Sequence, residues 1–206
     1  IITFSKNAVS QEPSNQQILY HEGEQITVDD ALESLMIVSS NDVAVALAEK
    51  IGGSVENFAK MMNKKAKELG ATNTHFVTPN GLQNENHYTT AHDMALIGRE
   101  ALKYPDLIKK MGQREAVIET NERTVTIKSP NAIPKKNPKA IGGKTGYTDA
   151  AQHTLIEVLQ DGDKKVVAVT MHSTKDGKYS DINTMSEYAF SKIKTKKLYQ
   201  KGEILR

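Results

Sequence analysis

Residues 141–148 read Ile-Gly-Gly-Lys-Thr-Gly-Tyr-Thr. The Gly-Lys-Thr within them suggests a phosphate-binding loop, but that motif needs a glycine where Pro138 stands. It also needs a helix directly after the threonine, so that the helix N-terminus meets the phosphate. Here Gly146 interrupts and a strand pattern follows. The stretch is therefore predicted to be a β-strand, and the phosphate-loop interpretation is set aside.

Three residues of this strand have the chemistry of a binding site for an anion. Lys144 supplies a positive charge, and Thr145 supplies a hydroxyl donor. Gly146 has no side chain, so the backbone of a ligand can approach the strand closely at an edge of the sheet. The tripeptide alone is weak support, but it favours an anionic ligand that lies along the strand.

Helical spacing of apolar residues dominates the chain before this strand, and alternation dominates around it. Helices are predicted from residue 27 to 38, 43 to 52, 54 to 70, 90 to 102, 105 to 112 and 179 to 192, and strands within 114–128, 152–159 and 164–172. Residues 130–139 are rich in proline and lysine and are predicted to form an exposed loop. This order predicts an α+β fold with helices packed on an antiparallel sheet.

The composition excludes several classes of protein. The chain has 206 residues and a net charge of +2, with basic and acidic residues mixed along most of its length, which argues against a nucleic-acid surface. No cysteine occurs, which excludes disulfides, cysteine-ligated zinc and a thiol nucleophile. His21-Glu22 begins like a zinc-peptidase motif, but Gln25 stands at the second histidine position. No metal and no cofactor are expected.

A second polar motif, Ser39-Ser40-Asn41, lies between two predicted helices. One interpretation is helix capping, which suits Asp42 and Ser40 best because serine and aspartate favour helix starts. The segment directly follows an apolar helix, however, and a buried polar side chain needs a partner. That partner could belong to a substrate.

The two motifs together give the clearest functional signal. Ser-x-Asn precedes Lys-Thr-Gly by 144 − 39 = 105 residues, and both motifs belong to the penicillin-recognising enzymes. Segments that resemble the low-molecular-mass penicillin-binding proteins, serine-type D-alanyl-D-alanine carboxypeptidases, occur at 35–44, 69–76, 79–82, 89–95 and 143–149. The resemblance covers nearly the whole chain and implies a β-lactamase/transpeptidase-like fold.

The resemblance implies three catalytic residues. Ser39 would relay a proton to the leaving amine. Asn41 would hydrogen-bond the amide of the substrate and orient a catalytic lysine. Lys144 would hold positive charge in the site.

It also implies four residues that bind the substrate. Thr145 would hold the terminal carboxylate of D-alanine, and Gly146 would let the substrate backbone approach. The backbone N–H of Tyr147 would form half of an oxyanion hole. Lys178 stands where relatives often have a basic residue near the substrate carboxylate.

The Ser-x-x-Lys motif of this family, which carries the nucleophile and its base, has no counterpart before Ser39. Ser191 and Lys194 have the right spacing but follow the other motifs, and we interpret them as a coincidence. We therefore expect that the N-terminal part of the fold is missing and that the 206 residues begin after the nucleophile helix.

These expectations define the predicted protein. Residues 1–195 would form the carboxypeptidase domain, and 196–206 a linker to, or the first strand of, a second β domain. The substrate would be the peptidoglycan stem peptide, β-lactam antibiotics would bind, and the site would lie outside the cytoplasmic membrane, with any membrane contact made through a separate C-terminal anchor. Two alternatives remain, a non-catalytic peptidoglycan-binding domain and a class A β-lactamase.

Overall fold

The computed structural model of the chain describes residues 1–13, 17–131 and 133–194, apart from the side chains of residues 134 and 135. The elements are, in chain order, β1 (Ile2–Thr3), α1 (Lys6–Val9), β2 (Gln25–Ile26), α2 (Val28–Val38), α3 (Asn41–Gly52), α4 (Val55–Glu68), α5 (Ala91–Ala101), α6 (Pro105–Gly112), β3 (Glu115–Glu119), β4 (Thr124–Lys128), α7 (Ile133–Lys136), β5 (Ala140–Thr148), β6 (Gln152–Asp161), β7 (Lys164–Ser173) and α8 (Gly177–Lys192). The predicted linker, residues 196–206, lies outside the described residues.

Side chains just before the first turn fix the starts of α2, α4 and α5, as the sequence predicts. The hydroxyl of Thr27 accepts a hydrogen bond from the backbone N–H of Asp30 at 3.0 Å, at the start of α2. Ser54 caps α4 in the same way, and Thr90 caps α5. Each cap satisfies a backbone donor that has no partner inside its helix.

Strands β5, β6 and β7 form an antiparallel sheet in that order, with β5 at one edge. Helix α8 packs on one face of this sheet and α5 on the other. A glycine brings α5 close, because a Cβ at Gly98 would lie 2.5 Å from Cδ1 of Ile156. The strand that contains Lys144 is therefore held on a sheet with helices on both faces.

A second apolar cluster lies beneath the Ser39-Ser40-Asn41 segment. It is built from buried residues of β1 to β4 and of helices α1 to α3, such as Phe4, Ile37, Val43 and Ile118. The two motifs thus lie beside different apolar clusters, and they meet at the site. Among the described residues, no helix combines the length and hydropathy that crossing a bilayer requires.

The predicted exposed loop at 130–139 is wrong in one respect. Residues Ile133–Lys136 form the short helix α7, and Ile133 is only 1% exposed. Its side chain joins Leu155 and Ile182 in the cluster between the sheet and α8. The high content of proline and lysine led to the prediction of a loop. Proline is tolerated in the first turn of a helix, however, so it does not prevent α7 from forming and burying Ile133.

A buried ion pair fastens the turn before β2 to the hairpin of β3 and β4. The Glu24 carboxylate is fully buried and accepts from Arg123 at 3.1 and 3.0 Å and from the His21 backbone N–H at 2.8 Å. Burial alone would raise the pKa of Glu24, but these hydrogen bonds outweigh it and hold the pKa below its usual value. The folded state therefore favours the carboxylate.

We expect that Glu24→Ala lowers the free energy of unfolding by about 3 kcal/mol, because the Arg123 guanidinium loses its carboxylate partner and keeps the backbone carbonyl of Leu19. Urea denaturation at pH 7 measures the change. Glu22→Ala, at an exposed position in the same turn, serves as the control and should cost less than about 0.5 kcal/mol. Equal stability of the two variants would contradict this account of the turn.

Candidate active site

Ser39 stands at the junction of two helices. It ends α2 with a left-handed backbone, φ 59° and ψ 45°, and α3 begins two residues later at Asn41. A residue other than glycine in this region is unusual and often marks a functional site. The turn projects the Ser39 hydroxyl towards β5.

Lys144 meets that hydroxyl from the sheet. Its ammonium group donates to Ser39 Oγ, although the two residues are 105 positions apart in the chain, and to the backbone carbonyl of Thr145 at 2.9 Å. The structure therefore brings together the residues that the motif spacing singled out. A cation and a hydroxyl in contact can pass a proton or share an anionic ligand.

The environment of Lys144 weakens its hold on the proton. Burial lowers the pKa of its ammonium group from 10.5 to about 8, because a charge is costly in a medium of low dielectric constant. Most of the lysine is still cationic at pH 7. It can therefore act as a positive charge at neutral pH and as a proton donor whose pKa lies close to the working pH.

Ser39 and Lys144 border a cavity of about 340 Å³. Its other polar walls include Ser40, Asn41 and Thr145. Its apolar walls come from α2 to α5 and from the loop after α4, namely Leu35, Met36, Ala44, Met62, Phe76 and Met94. An apolar cavity with a few convergent polar groups is the usual form of a ligand site.

The rest of the Ser-x-Asn motif is tied to the protein interior. Asn41 is 6% exposed, and its side-chain amide donates to the backbone carbonyl of Glu12 at 2.7 Å. The Ser40 hydroxyl lies 2.8 Å from that of Ser34 and makes no capping hydrogen bond, contrary to the capping interpretation for Ser40. Asp42 does accept from the N–H of Val43 at 2.7 Å, so it satisfies a donor of the first turn of α3.

Tyr147 and Lys178 lie further from the cavity. The Tyr147 ring is 55% exposed and sits 4.6 Å from the ring of His153. Lys178 is buried at the start of α8, with its ammonium 3.4 Å from His153 Nδ1 and over the ring of Tyr179. Lys178 therefore touches the far end of the β5–β6 hairpin and lies outside the lining of the cavity.

The structure adds a loop that motif spacing alone did not assign to the site. Pro79, Asn80 and Gly81 line the cavity, as does the imidazole of His87. His87 Nδ1 lies 3.2 and 3.3 Å from the backbone N–H groups of Val77 and Thr78, and burial lowers the pKa of the ring. The Pro-Asn-Gly turn was visible in the sequence, but its approach to Lys144 depends on tertiary packing.

Among the described residues, one cluster could hold a metal ion. Ligand atoms of His21, Glu24 and Glu122 lie within 4.8 Å of one another. The Glu24 carboxylate already pairs with Arg123, so a cation there would compete with a guanidinium. This chemistry fits a structural ion pair better than a metal centre.

The remaining Ser-x-x-Lys pair is remote from the cavity. Ser191 is exposed near the end of α8, and its hydroxyl donates to the backbone carbonyl of Tyr188 at 2.7 Å. Serine commonly bonds the preceding turn of its own helix in this way. Its position agrees with the interpretation of this spacing as a coincidence.

Comparison with known proteins identifies the family. The family model described as D-alanyl-D-alanine carboxypeptidase matches residues 1–175. The chain is 39% identical over 189 residues to D-alanyl-D-alanine carboxypeptidase DacF of Bacillus subtilis, which covers 91% of this chain and 49% of that protein. For DacB2 of Mycobacterium tuberculosis, the identity is 36% over 158 residues, which is 75% of this chain and 54% of the relative. The chain thus spans about half the length of these curated relatives.

Solved structures share the fold. A D-alanyl-D-alanine carboxypeptidase from Mycobacterium tuberculosis superposes with a TM-score of 0.83 at 29% identity, over 93% of this chain and 74% of that one. A Streptomyces DD-transpeptidase gives 0.84 at 29% identity, over 92% and 78%. These similarities confirm the α+β, transpeptidase-like fold. The two motifs meet at one cavity within it, and the chain belongs to the D-alanyl-D-alanine carboxypeptidase family.

Proposed function

We propose that the protein is a serine-type D-Ala-D-Ala carboxypeptidase that removes the terminal D-alanine of peptidoglycan stem peptides. The contact between Lys144 and Ser39 at the wall of an apolar cavity carries the proposal. It supplies a cation that can stabilise negative charge and a hydroxyl that can transfer a proton, and an acyl-transfer reaction needs both. Residues 1–206 contribute the part of the site that binds substrate.

Thr145 and the edge of β5 would position the substrate. The stem peptide would lie along β5, because the N–H and C=O groups of alternate residues on an edge strand are not used by the neighbouring strand. The Thr145 hydroxyl would donate to the terminal carboxylate, and Gly146 would leave room for the substrate backbone. Lys178 would add positive charge at the far end of the hairpin.

The reaction would run in two acyl-transfer steps. A serine hydroxyl, activated by a neighbouring base, attacks the carbonyl carbon of the penultimate D-alanine and forms an ester. The bond to the terminal D-alanine breaks, and that amine leaves with a proton relayed through Ser39. The N–H of Tyr147 stabilises the oxyanion, Asn41 orients the substrate amide, and water then hydrolyses the ester.

In these two steps, Lys144 would supply the positive charge beside Ser39, which relays the proton. Its cation, still largely present at pH 7, stabilises negative charge on the substrate and favours proton donation by Ser39. The nucleophile would come from a Ser-x-x-Lys segment, which is not found beside this cavity among residues 1–206. β-Lactams would be attacked by the same serine, and a peptidoglycan substrate places the site outside the cytoplasmic membrane.

The absence of a Ser-x-x-Lys segment at the cavity favours a second candidate function for these 206 residues by themselves. They would bind stem peptides that end in D-Ala-D-Ala without cleaving them. Titration of the 206-residue chain with such a peptide, followed by calorimetry and a parallel assay for D-alanine, distinguishes binding from turnover.

The proposed activity is tested with the full-length product of the gene and a pentapeptide that ends in D-Ala-D-Ala. We expect release of one D-alanine per peptide, and no release from the matched peptide that ends in L-alanine. Release from neither peptide, by a protein that is folded by circular dichroism, would reject the carboxypeptidase function.

A further inference from the structure

A buried carboxylate lies directly behind the strand of Lys144. Glu157 is on β6, the central strand of the sheet, opposite Gly143 of β5 and Ala168 of β7. It is only 1% exposed. Its side chain points to the face that α8 covers, among the apolar residues Leu155 and Leu159 of the same strand. A glutamate at the centre of an apolar layer is rare, because a buried charge normally needs a partner.

No described residue supplies that partner. Both carboxylate oxygens of Glu157 are buried without a hydrogen bond among the described residues, and so is the hydroxyl of Thr170 on the neighbouring strand. An ionised carboxylate in such a place loses its hydration and gains little in return. A protonated carboxyl group loses less, because it carries no net charge.

The charged groups around this face are engaged elsewhere or lie near its ends. Lys178, the buried cation of α8, contacts His153 and the ring of Tyr179 instead. The other titratable groups on the sheet and its covering segments include Tyr147 on β5, Asp161 on β6, Lys164 on β7, Lys136 on α7 with Asp176 beside it, Lys139 before β5, and Tyr179, Asp181, Glu187, Tyr188 and Lys192 on α8. None of these described groups contributes an electrostatic interaction to Glu157, whose titration responds to burial alone.

Close packing also prevents the carboxylate from adapting inside the sheet. A Cβ added at Gly143 would lie 3.1 Å from Cγ of Glu157 and 2.8 Å from Cδ1 of Ile133. The glycine of β5 therefore makes the space that the Glu157 side chain uses. An ionised Glu157 would have to admit water or move outwards, and either change would disturb β5 next to Lys144.

We propose that Glu157 is a proton-binding site that locks the sheet of β5, β6 and β7 onto α8. With a proton taken from solvent, the neutral carboxyl group fits the apolar layer and the sheet closes. When the proton returns to solvent, the carboxylate draws in water and loosens β5 where it presents Lys144. The sheet therefore packs most firmly on α8, and holds Lys144 most rigidly, in a mildly acidic medium.

The direction of the effect follows from the titration of the group. Burial raises the pKa of Glu157 from 4.5 to about 7. The neutral form is therefore favoured in the folded state, and this contribution to stability is fully present below about pH 4.5. It falls as the pH rises through 7, and a shift of this size lowers the folding equilibrium constant by a factor on the order of 10².

The first measurement is a carbon NMR titration of the 206-residue chain with labelled glutamate side-chain carboxyl groups. The Glu157 signal, assigned by its loss in Glu157→Gln, should titrate with a midpoint near 7. A midpoint at or below 4.5 would overturn the proposal, because it would mean that the carboxylate is paired or solvated. The titration itself is measured on the native chain, and the variant serves only to assign the signal.

The second measurement compares stability and hydrogen exchange between pH 5 and pH 8. Glu157→Gln keeps the shape of the side chain without the charge, so it should remove the loss of stability that the native chain shows as the pH rises. It should also slow amide exchange of β5 at pH 8, relative to the native chain at the same pH. Glu187→Gln, at an exposed position on α8, should change neither quantity. Parallel pH profiles for the native chain and Glu157→Gln would contradict the proposal.

Discussion

Replacement of Lys144 by alanine in the full-length protein is expected to lower kcat/KM for D-alanine release by roughly 10²–10³-fold, the usual cost of removing one preorganised charge or donor from such a site. The structure gives the reason. The Lys144 ammonium is the cation in contact with the Ser39 hydroxyl, and it is partly desolvated. Without it, neither the proton relay nor the bound anion keeps its positive partner.

Two further readouts separate this role from a loss of fold. Lys165→Ala removes an exposed lysine from β7 and should leave kcat/KM unchanged. In the unmodified protein, the rate should fall as the pH rises above about 8, where Lys144 loses its proton. An alanine variant with normal kcat/KM would show that the cation is not used.

The 206-residue chain alone is expected to form no covalent adduct with penicillin, whereas the full-length protein should be acylated. The chain holds Ser39 and Lys144 at the cavity, but the Ser-x-x-Lys pair of the family is not found there among its residues. A serine hydroxyl without a suitable base is a weak nucleophile. Intact mass after incubation with a labelled penicillin measures the adduct directly.

The control for this prediction is the 206-residue chain with Ser39 replaced by alanine. Ser39 lines the cavity and contacts a lysine of lowered pKa, so it is the hydroxyl to test first. An adduct on the native chain that disappears with Ser39→Ala would place the nucleophile at Ser39. The proposal that Ser39 relays a proton while a serine of a Ser-x-x-Lys segment is the nucleophile would then be wrong.

Local signals in the sequence predicted much of the fold. Thr27, Ser54 and Thr90 cap helices as expected, because a capping side chain and its backbone donor are only three residues apart. The hairpin of β6 and β7 was clear from alternation and its Asp-Gly turn. The approach of Lys144 to Ser39 could be expected only from the paired motifs, since nothing local connects residues 105 positions apart.

The sequence failed where distant packing decides the environment of a residue. The capping interpretation of Ser40 missed its buried bond to Ser34, which depends on how α2 meets α3. The burial of Ile133 depends on its contacts with the sheet and α8, and the residues next to it in the sequence do not predict those contacts. Glu157 stands in a run of strand residues, and nothing in that run marks it as a buried carboxylate without a hydrogen-bond partner among the described residues.

The most direct test of the proposed site is to find where penicillin attaches to the full-length protein. We expect one acylated serine, in a Ser-x-x-Lys segment outside residues 1–206, with the label reduced when Lys144 is replaced by alanine. Peptide mapping by mass spectrometry after labelling locates the modified residue. Attachment to Ser39, or to any other serine among the 206 residues, would contradict the account.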